Sequence, residues 1–193
     1  KQLLLFFHHA MRIVFFLLET LFFFLVACAL LRAWMNHLRI NMSGQPGRFA
    51  IAVTDWLVAP LRRVLPRALA QSRVDWGSLL AAVLLALAFG ALWVLLAASV
   101  SAAPGSGVAM ATTVLTMAVR ILIRTVLQGL MILLIGYAIL SWVQPQSPVM
   151  GTLDRLCAPI LRPLRRVVPL VGGVDLSVLV LIILLQVGLM LLG

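Results

Sequence analysis

The stretch "SLLAAVLLALAFGALWVLLAA", residues 78–98, contains no charged side chain. A helix of about 20 residues crosses the roughly 30 Å hydrocarbon core of a bilayer. Because lipid offers the backbone no hydrogen-bond partner, such a run forms a helix rather than an isolated strand. Three more apolar runs lie at 13–34, 118–143 and 176–193. We therefore predict an all-α membrane protein with four transmembrane helices.

The composition excludes an ordinary soluble domain. Hydrophobic residues make up 64% of the chain and charged residues only 10%, too few to cover a soluble surface. A net charge of +10 would indicate nucleic acid binding in a soluble domain. Here the arginines flank apolar runs, where the positive-inside rule accounts for them, so we predict no nucleic acid partner.

Arginine and tryptophan are spaced in the same way in two apolar runs. Arg12 precedes Trp34 by 22 residues, and Arg120 precedes Trp142 by 22 residues. This spacing is about 33 Å of helix, roughly one bilayer thickness. We therefore expect Trp34 and Trp142 to be structural anchors at one membrane interface.

A basic segment follows each tryptophan, "TDWLVAPLRRVLP" at 54–66 and "LDRLCAPILRPLRRVVP" at 153–169. An aspartate, Asp75 or Asp175, then precedes another apolar run. The chain thus contains the same order of features twice. We predict two parallel repeats, residues 1–98 and 113–193, joined by a linker loop at 99–112.

The second basic segment has the periodicity of an amphipathic helix. Its apolar side chains between 153 and 168 fall on one helical face, and its arginines fall on the other. Pro159 and Pro163 cannot donate backbone hydrogen bonds, so we expect two short helical pieces with a bend. Ser147 and Pro148 have the pattern of an N-cap and a first helical residue. Each repeat is therefore predicted to carry an amphipathic interfacial helical segment.

The charge distribution predicts the orientation in the membrane. The basic loops, 32–76 and 144–175, are separated by two apolar runs and so lie on one side, whereas the loop at 99–107 has no charge. The positive-inside rule places the basic loops in the cytoplasm and both termini on the opposite side of the membrane.

The arginines of the basic segments are the candidate residues for binding anionic lipid or a partner protein. They are Arg62, Arg63, Arg155, Arg162, Arg165 and Arg166. Each basic residue near an anionic leaflet contributes about 1 kcal/mol to binding. The alternative is that solvated arginines only anchor the segment at the interface. Asp75 and Asp175 are expected to be structural N-caps of the next helix, and they could also pair with the arginines.

Among the polar residues inside the apolar runs, three are candidate intramembrane site residues. Arg124 and Gln128 are four residues apart and share a helical face, and Glu19 is expected to pair with Arg124 or Arg12. Such residues suggest a proton or cation relay. The alternative, a pair that fixes helix packing, is favoured because one carboxylate makes a poor pathway.

The sequence offers no catalytic set and predicts a protein that is not an enzyme. No Ser/His/Asp set, phosphate-binding loop or paired carboxylates can be assembled from it. His8 and His9 lack a second ligand, and Cys28 and Cys157 are far apart, so no metal or cofactor is predicted. A stripe of small residues, at positions 82, 86 and 90, instead predicts close helix packing within the fold.

The chain resembles the bacterial YggT (YlmG-like) family over nearly its whole length. The segments that carry the resemblance are "GRFAIAVTDWLVAPLRRVLP" at 47–66, "ILSWVQPQSPV" at 139–149 and "APILRPLRRVVPLVGGVDLS" at 158–177. The first repeat departs from the second in lacking the second proline and the pair Gly172–Gly173. The resemblance implies a multi-pass protein of the bacterial inner membrane with no accepted enzymatic activity. Relatives are associated with assembly of membrane complexes, with cell division, or with osmotic and potassium tolerance.

Two functions are open at this point. The first is an accessory, assembly or scaffold protein that associates with other integral membrane proteins, its arginine segments docking on a partner or on anionic lipid. The second is ion handling or osmotic tolerance by an oligomer with Glu19 and Arg124 near a path. We rank the first above the second because two basic interfacial segments occur without catalytic groups.

Overall fold

The computed structural model describes residues 2–66, 74–100, 106–168 and 175–192. These ranges contain six helices and no strand. The helices are α1 (Gln2–His37), α2 (Gly47–Val64), α3 (Trp76–Val100), α4 (Gly107–Val143), α5 (Pro148–Arg165) and α6 (Leu176–Leu192). The prediction of an all-helical protein is confirmed.

Three of these helices contain a segment long and apolar enough to cross a membrane. The segments are Met11–His37, Trp76–Ala98 and Gly107–Val143. Helix α6 is apolar but has only 17 residues, about 25 Å of helix against a hydrocarbon core of roughly 30 Å. Length and composition therefore establish three candidate spans, and the predicted fourth is not established by them.

The interfacial helix α5 begins as the sequence predicts but continues where a break was expected. The Ser147 side chain accepts a hydrogen bond from the Met150 backbone N–H, and Pro148 is the first helical residue. The expectation of two short pieces was wrong, since α5 is one helix through Pro159 and Pro163. These two prolines are four residues apart, so the missing donors lie together on the exposed side of α5.

The described part of the predicted linker, residues 99–100 and 106–112, is helical except at Ser106. Helix α3 continues to Val100 and α4 begins at Gly107, where the Ser106 side chain accepts a hydrogen bond from Ala109. The two ends of the predicted loop at 99–112 are therefore parts of helices. Residues 101–105 lie outside the described ranges, and the division into two repeats stays a prediction.

Helices α1, α3 and α4 pack around one apolar core. The rings of Phe22 and Phe89 lie 5.7 Å apart, and the stripe of small residues on α3 faces this core. A Cβ atom placed on Gly90 would lie 2.5 Å from the carbonyl oxygen of Val114. The close approach of α3 and α4 thus depends on glycine at this position, which confirms that the stripe packs within the fold.

A second core joins α4, α5 and α6, and a third joins the end of α1 to α5. Leu134, Leu161 and Leu181 are buried in the second core. Met35 and Leu156 are buried in the third. The apolar face of α5 therefore packs against protein, which leaves its arginine face outward.

Candidate functional site

Two arginines of the basic segments lie in the last turns of α2 and α5 and pair with aspartates that precede the next helix. In the first, Arg62 Nη2 lies 2.5 Å from Asp75 Oδ2. The Asp75 side chain is only 3% exposed, and it also accepts hydrogen bonds from the backbone N–H and the hydroxyl of Ser78. Asp75 thus occupies the N-cap position of α3 and pairs with an arginine as well.

The hydrogen bonds to Asp75 decide its charge state. Burial alone would raise the pKa of this carboxyl. The bonds from Ser78 and Arg62, together with the Arg62 charge, outweigh burial and hold the pKa below its usual value. The carboxylate is therefore ionised at neutral pH and keeps α2 attached to the start of α3.

A glycine makes room for this first pair. A Cβ atom on Gly77 would lie 2.6 Å from Cγ of Arg62. Cγ is near the base of the side chain and has little freedom to move away. Gly77 therefore allows Arg62 to pass across the first turn of α3 and reach Asp75.

The second pair has the same arrangement. Arg165 Nε lies 2.7 Å from Asp175 Oδ2, and Arg165 Nη2 donates to the Tyr137 hydroxyl at 3.0 Å. Asp175 also accepts from the Ser177 backbone N–H at 3.0 Å. Burial disfavours the charged forms of both Asp175 and Arg165. The hydrogen bonds outweigh burial, so the pKa of Asp175 is lowered and the pKa of Arg165 is raised.

The side chains of the other four candidate arginines are exposed and make no hydrogen bond or ion pair with the described part of the chain. They are Arg63 on α2, Arg155 and Arg162 on α5, and Arg166 directly after α5. We call these four the exposed arginines. The structure thus divides the six candidates into two that bind aspartates of the same chain and four that point outward.

Arg32, which falls in the basic loop predicted at 32–76, is instead a buried residue of α1. Arg32 is 4% exposed and donates to Thr54 and Asp55 of α2, at 3.3 and 3.1 Å. The sequence feature that could have indicated this contact is Asp55, which lies next to the apolar face of α2. Arg32 and Asp55 fix α2 against α1.

The two tryptophans differ in their surroundings. Trp34 Nε1 donates to the Leu156 carbonyl at 3.3 Å, and its ring stacks on His37. Trp142 is 77% exposed near the end of α4. Trp34 therefore contacts α5 directly, whereas Trp142 is placed on the surface at the corresponding helix end.

The intramembrane candidates lie side by side on α1 and α4. Arg124 Nη1 donates to Glu19 Oε1, so the partner of Glu19 is Arg124. Gln128 lies one turn further along α4 and, together with Glu19 and Arg124, lines a groove between α1 and α4. The described residues contain no group of three His, Cys, Asp or Glu side chains that could hold a metal ion, and the side chain of His8 lies outside the description.

Comparison with known proteins identifies the family. A sequence model described as CCB3/YggT matches residues 11–96 and 116–193. This chain belongs to the CCB3/YggT family. The residues matched to the family therefore include both basic segments and both arginine–aspartate pairs.

Similar members of the family occur in several bacteria. The "Uncharacterized protein YggT" of Escherichia coli K12 is 35% identical over 161 residues, which cover 82% of this chain and 77% of that protein. The "Uncharacterized protein in proC 3'region" of Vibrio alginolyticus is 32% identical over 169 residues, 87% of this chain and 86% of that protein. No solved structure matches the chain.

Proposed function

We propose that this member of the CCB3/YggT family is a non-enzymatic accessory or scaffold protein of a larger complex in the bacterial inner membrane. Its exposed arginines dock on the cytoplasmic side of a partner membrane protein, with anionic lipid around them. The helix α6 serves as a fourth, short span, both basic segments face the cytoplasm, and both termini face the periplasm.

The observation that carries this proposal is the division of the arginines. Arg62 and Arg165 each have an acidic partner in the chain and so contribute to holding the fold. The exposed arginines have none among the described residues, and three of them lie on α5 or directly after it. A guanidinium presents several donors in a planar fork, which suits carboxylates and phosphates of a binding partner.

The anchoring of α5 supports docking rather than a loose interfacial segment. Leu156 and Leu161 are fully buried, and Trp34 donates to the backbone of α5. A helix held in this way keeps its arginines in fixed positions, which reduces the entropy lost on binding.

Ion handling receives less support from the same contacts. Glu19 already accepts a hydrogen bond from Arg124. The positive charge of Arg124 offsets the negative charge of this carboxylate, so the carboxylate attracts a passing cation only weakly. The pair therefore favours a role in packing or association over a cation path.

Site-directed photo-crosslinking in intact cells tests the proposal. A photoreactive residue at position 162, on the arginine face of α5, is compared with one at Ile183, an exposed apolar position of α6. We expect position 162 to give a discrete adduct with one integral membrane protein, lost when Arg155 and Arg166 are changed to Gln. Adducts with lipid alone at position 162 would overturn the scaffold function.

A further inference from the structure

A groove of about 340 Å³ opens sideways between α1 and α4, at the level of the Glu19–Arg124 pair. Its polar lining consists of Glu19 and Thr20 from α1 and Arg124, Thr125 and Gln128 from α4. The side chains of Glu19 and Arg124 are each 45% exposed in this groove. The groove is thus a polar patch on the outer surface of two candidate membrane spans.

The position of the pair puts it inside the apolar region. Glu19 lies eight residues into the span that begins at Met11, about 12 Å along the helix. At that depth, half-exposed charges facing hydrocarbon are costly, and such groups normally face protein or a water-filled cavity. Something other than lipid tails is therefore required to cover them.

The groove also has unused hydrogen-bonding capacity. Thr125 is 1% exposed, lines the groove, and its hydroxyl has no partner among the described residues. The Arg124 guanidinium has five N–H donors, and the structure shows one of them bonded, to Glu19. A polar occupant that enters the groove would satisfy these groups.

We infer that the occupant is a second copy of this chain, packed groove to groove about a two-fold axis parallel to the membrane normal. In such a dimer identical patches face each other, and each residue meets groups at its own depth. Glu19 and Arg124 are at one depth because they contact each other. Arg124 of each copy therefore faces Glu19 of the other, and the four charges alternate in sign.

The alternation of charge distinguishes a second copy from other occupants. Arg124 repels a free cation, and Glu19 repels an anionic headgroup. A second groove presents both signs in the complementary order. This association uses α1 and α4, so it is separate from the docking of the exposed arginines on α2 and α5.

Charge reversal tests the dimer. The variant Glu19→Arg carries two positive groups in the groove, and Arg124→Glu carries two negative groups. Wild type and each variant are labelled in separate batches with a donor or an acceptor fluorophore, and the two batches are reconstituted together in phosphatidylethanolamine–phosphatidylglycerol vesicles, where energy transfer reports association. We expect wild type to associate, each variant alone to associate about tenfold more weakly, and the two variants mixed to regain association.

Controls keep the result independent of folding. Helical circular dichroism and thermal unfolding in detergent show whether each variant is folded, and Glu19→Gln with Arg124→Gln supplies a neutral groove that keeps hydrogen bonding. The neutral variant is expected to associate more weakly than wild type. Wild type that stays monomeric, or folded variants that do not associate when mixed, would overturn the inference.

Crosslinking of the wild-type groove gives a second readout. In a chain with Cys28 and Cys157 changed to Ser, Thr20→Cys places a thiol at the groove. Leu92→Cys, exposed on α3 and outside the groove lining, is the matched control. Oxidation in vesicles is expected to give covalent dimer for Thr20→Cys and none for Leu92→Cys. Equal yields for the two variants would contradict the proposed interface.

Discussion

Arg62 Nη2 lies 2.5 Å from Asp75 Oδ2, and this contact ties the end of α2 to the beginning of α3. Arg165 and Asp175 make the corresponding contact between α5 and α6. In each case the aspartate also binds a serine N–H at the start of the next helix. The basic segments therefore hold the fold through one arginine each and present the others outward.

Adjacent arginines should differ in their effect on stability. Arg62→Ala leaves the Asp75 carboxylate, which is 3% exposed, without its charged partner. Because Arg62 itself is 44% exposed, we expect a moderate loss of about 1 kcal/mol in the free energy of unfolding. Arg63→Ala, the matched control, should change it by less than about 0.5 kcal/mol. Chemical unfolding in detergent measures both, and equal losses would contradict the assignment of Arg62 to the fold.

Glycine substitutions test the close approach of α3 and α4. Gly90→Ala places a methyl group 2.5 Å from the Val114 carbonyl oxygen, so the two helices must separate. We expect a loss of about 2 kcal/mol. Gly129 in α4 has no atom near its missing Cβ, and Gly129→Ala should stabilise the protein by about 0.5 kcal/mol. Thermal unfolding of the two variants should therefore shift in opposite directions.

The stability contributed by the aspartates should depend on pH. The pKa values of Asp75 and Asp175 are lowered in the folded protein. A lowered folded pKa means that the contribution is complete above the unfolded pKa, about 3.9, and is lost as the pH falls through the folded value. The wild type should thus exceed Asp75→Asn in unfolding temperature at pH 7, and the difference should shrink below about pH 4. A difference that stays constant on acidification would contradict the lowered pKa.

Cys157 should report the packing of α5. The thiol is 3% exposed, and burial, together with the charge of Asp154, raises its pKa to about 11 in spite of Arg165. In a Cys28→Ser chain, alkylation of Cys157 at neutral pH should be at least about a hundredfold slower than alkylation of an ordinary thiol. Mass spectrometry before and after denaturation in sodium dodecyl sulfate measures this. Rapid labelling of the folded chain would show that α5 is not packed on α4 and α6.

Local patterns in the sequence predicted the elements of the fold well. Uncharged runs such as 78–98 predict helices because backbone N–H and C=O groups in lipid must form hydrogen bonds with each other. The serine before Pro148 and the aspartate before Trp76 marked helix starts because capping involves neighbours within three residues. The division of α5 into two pieces was predicted wrongly because the packing of the apolar face of α5 outweighed the loss of backbone donors on its exposed face.

Contacts between distant residues could be predicted only in part. The sequence named Arg124 or Arg12 as the partner of Glu19, and only the packing of α1 on α4 selects Arg124. The burial of Arg32 was missed because its partners, Thr54 and Asp55, lie on α2, and the sequence does not show which face of α1 that helix covers. Periodicity assigns a residue to a face of its own helix, but not to the neighbour that covers that face.

The central claim is that the exposed arginines dock on a partner while Arg62 and Arg165 hold the fold. The most direct measurement is native mass spectrometry of the complex extracted from cell membranes, paired with thermal unfolding of the purified chain. We expect that changing Arg155, Arg162 and Arg166 together to Gln removes the partner subunit and leaves the unfolding temperature unchanged. We also expect that Arg165→Gln lowers the unfolding temperature. A triple variant that still carries the partner at wild-type abundance would contradict docking by the exposed arginines.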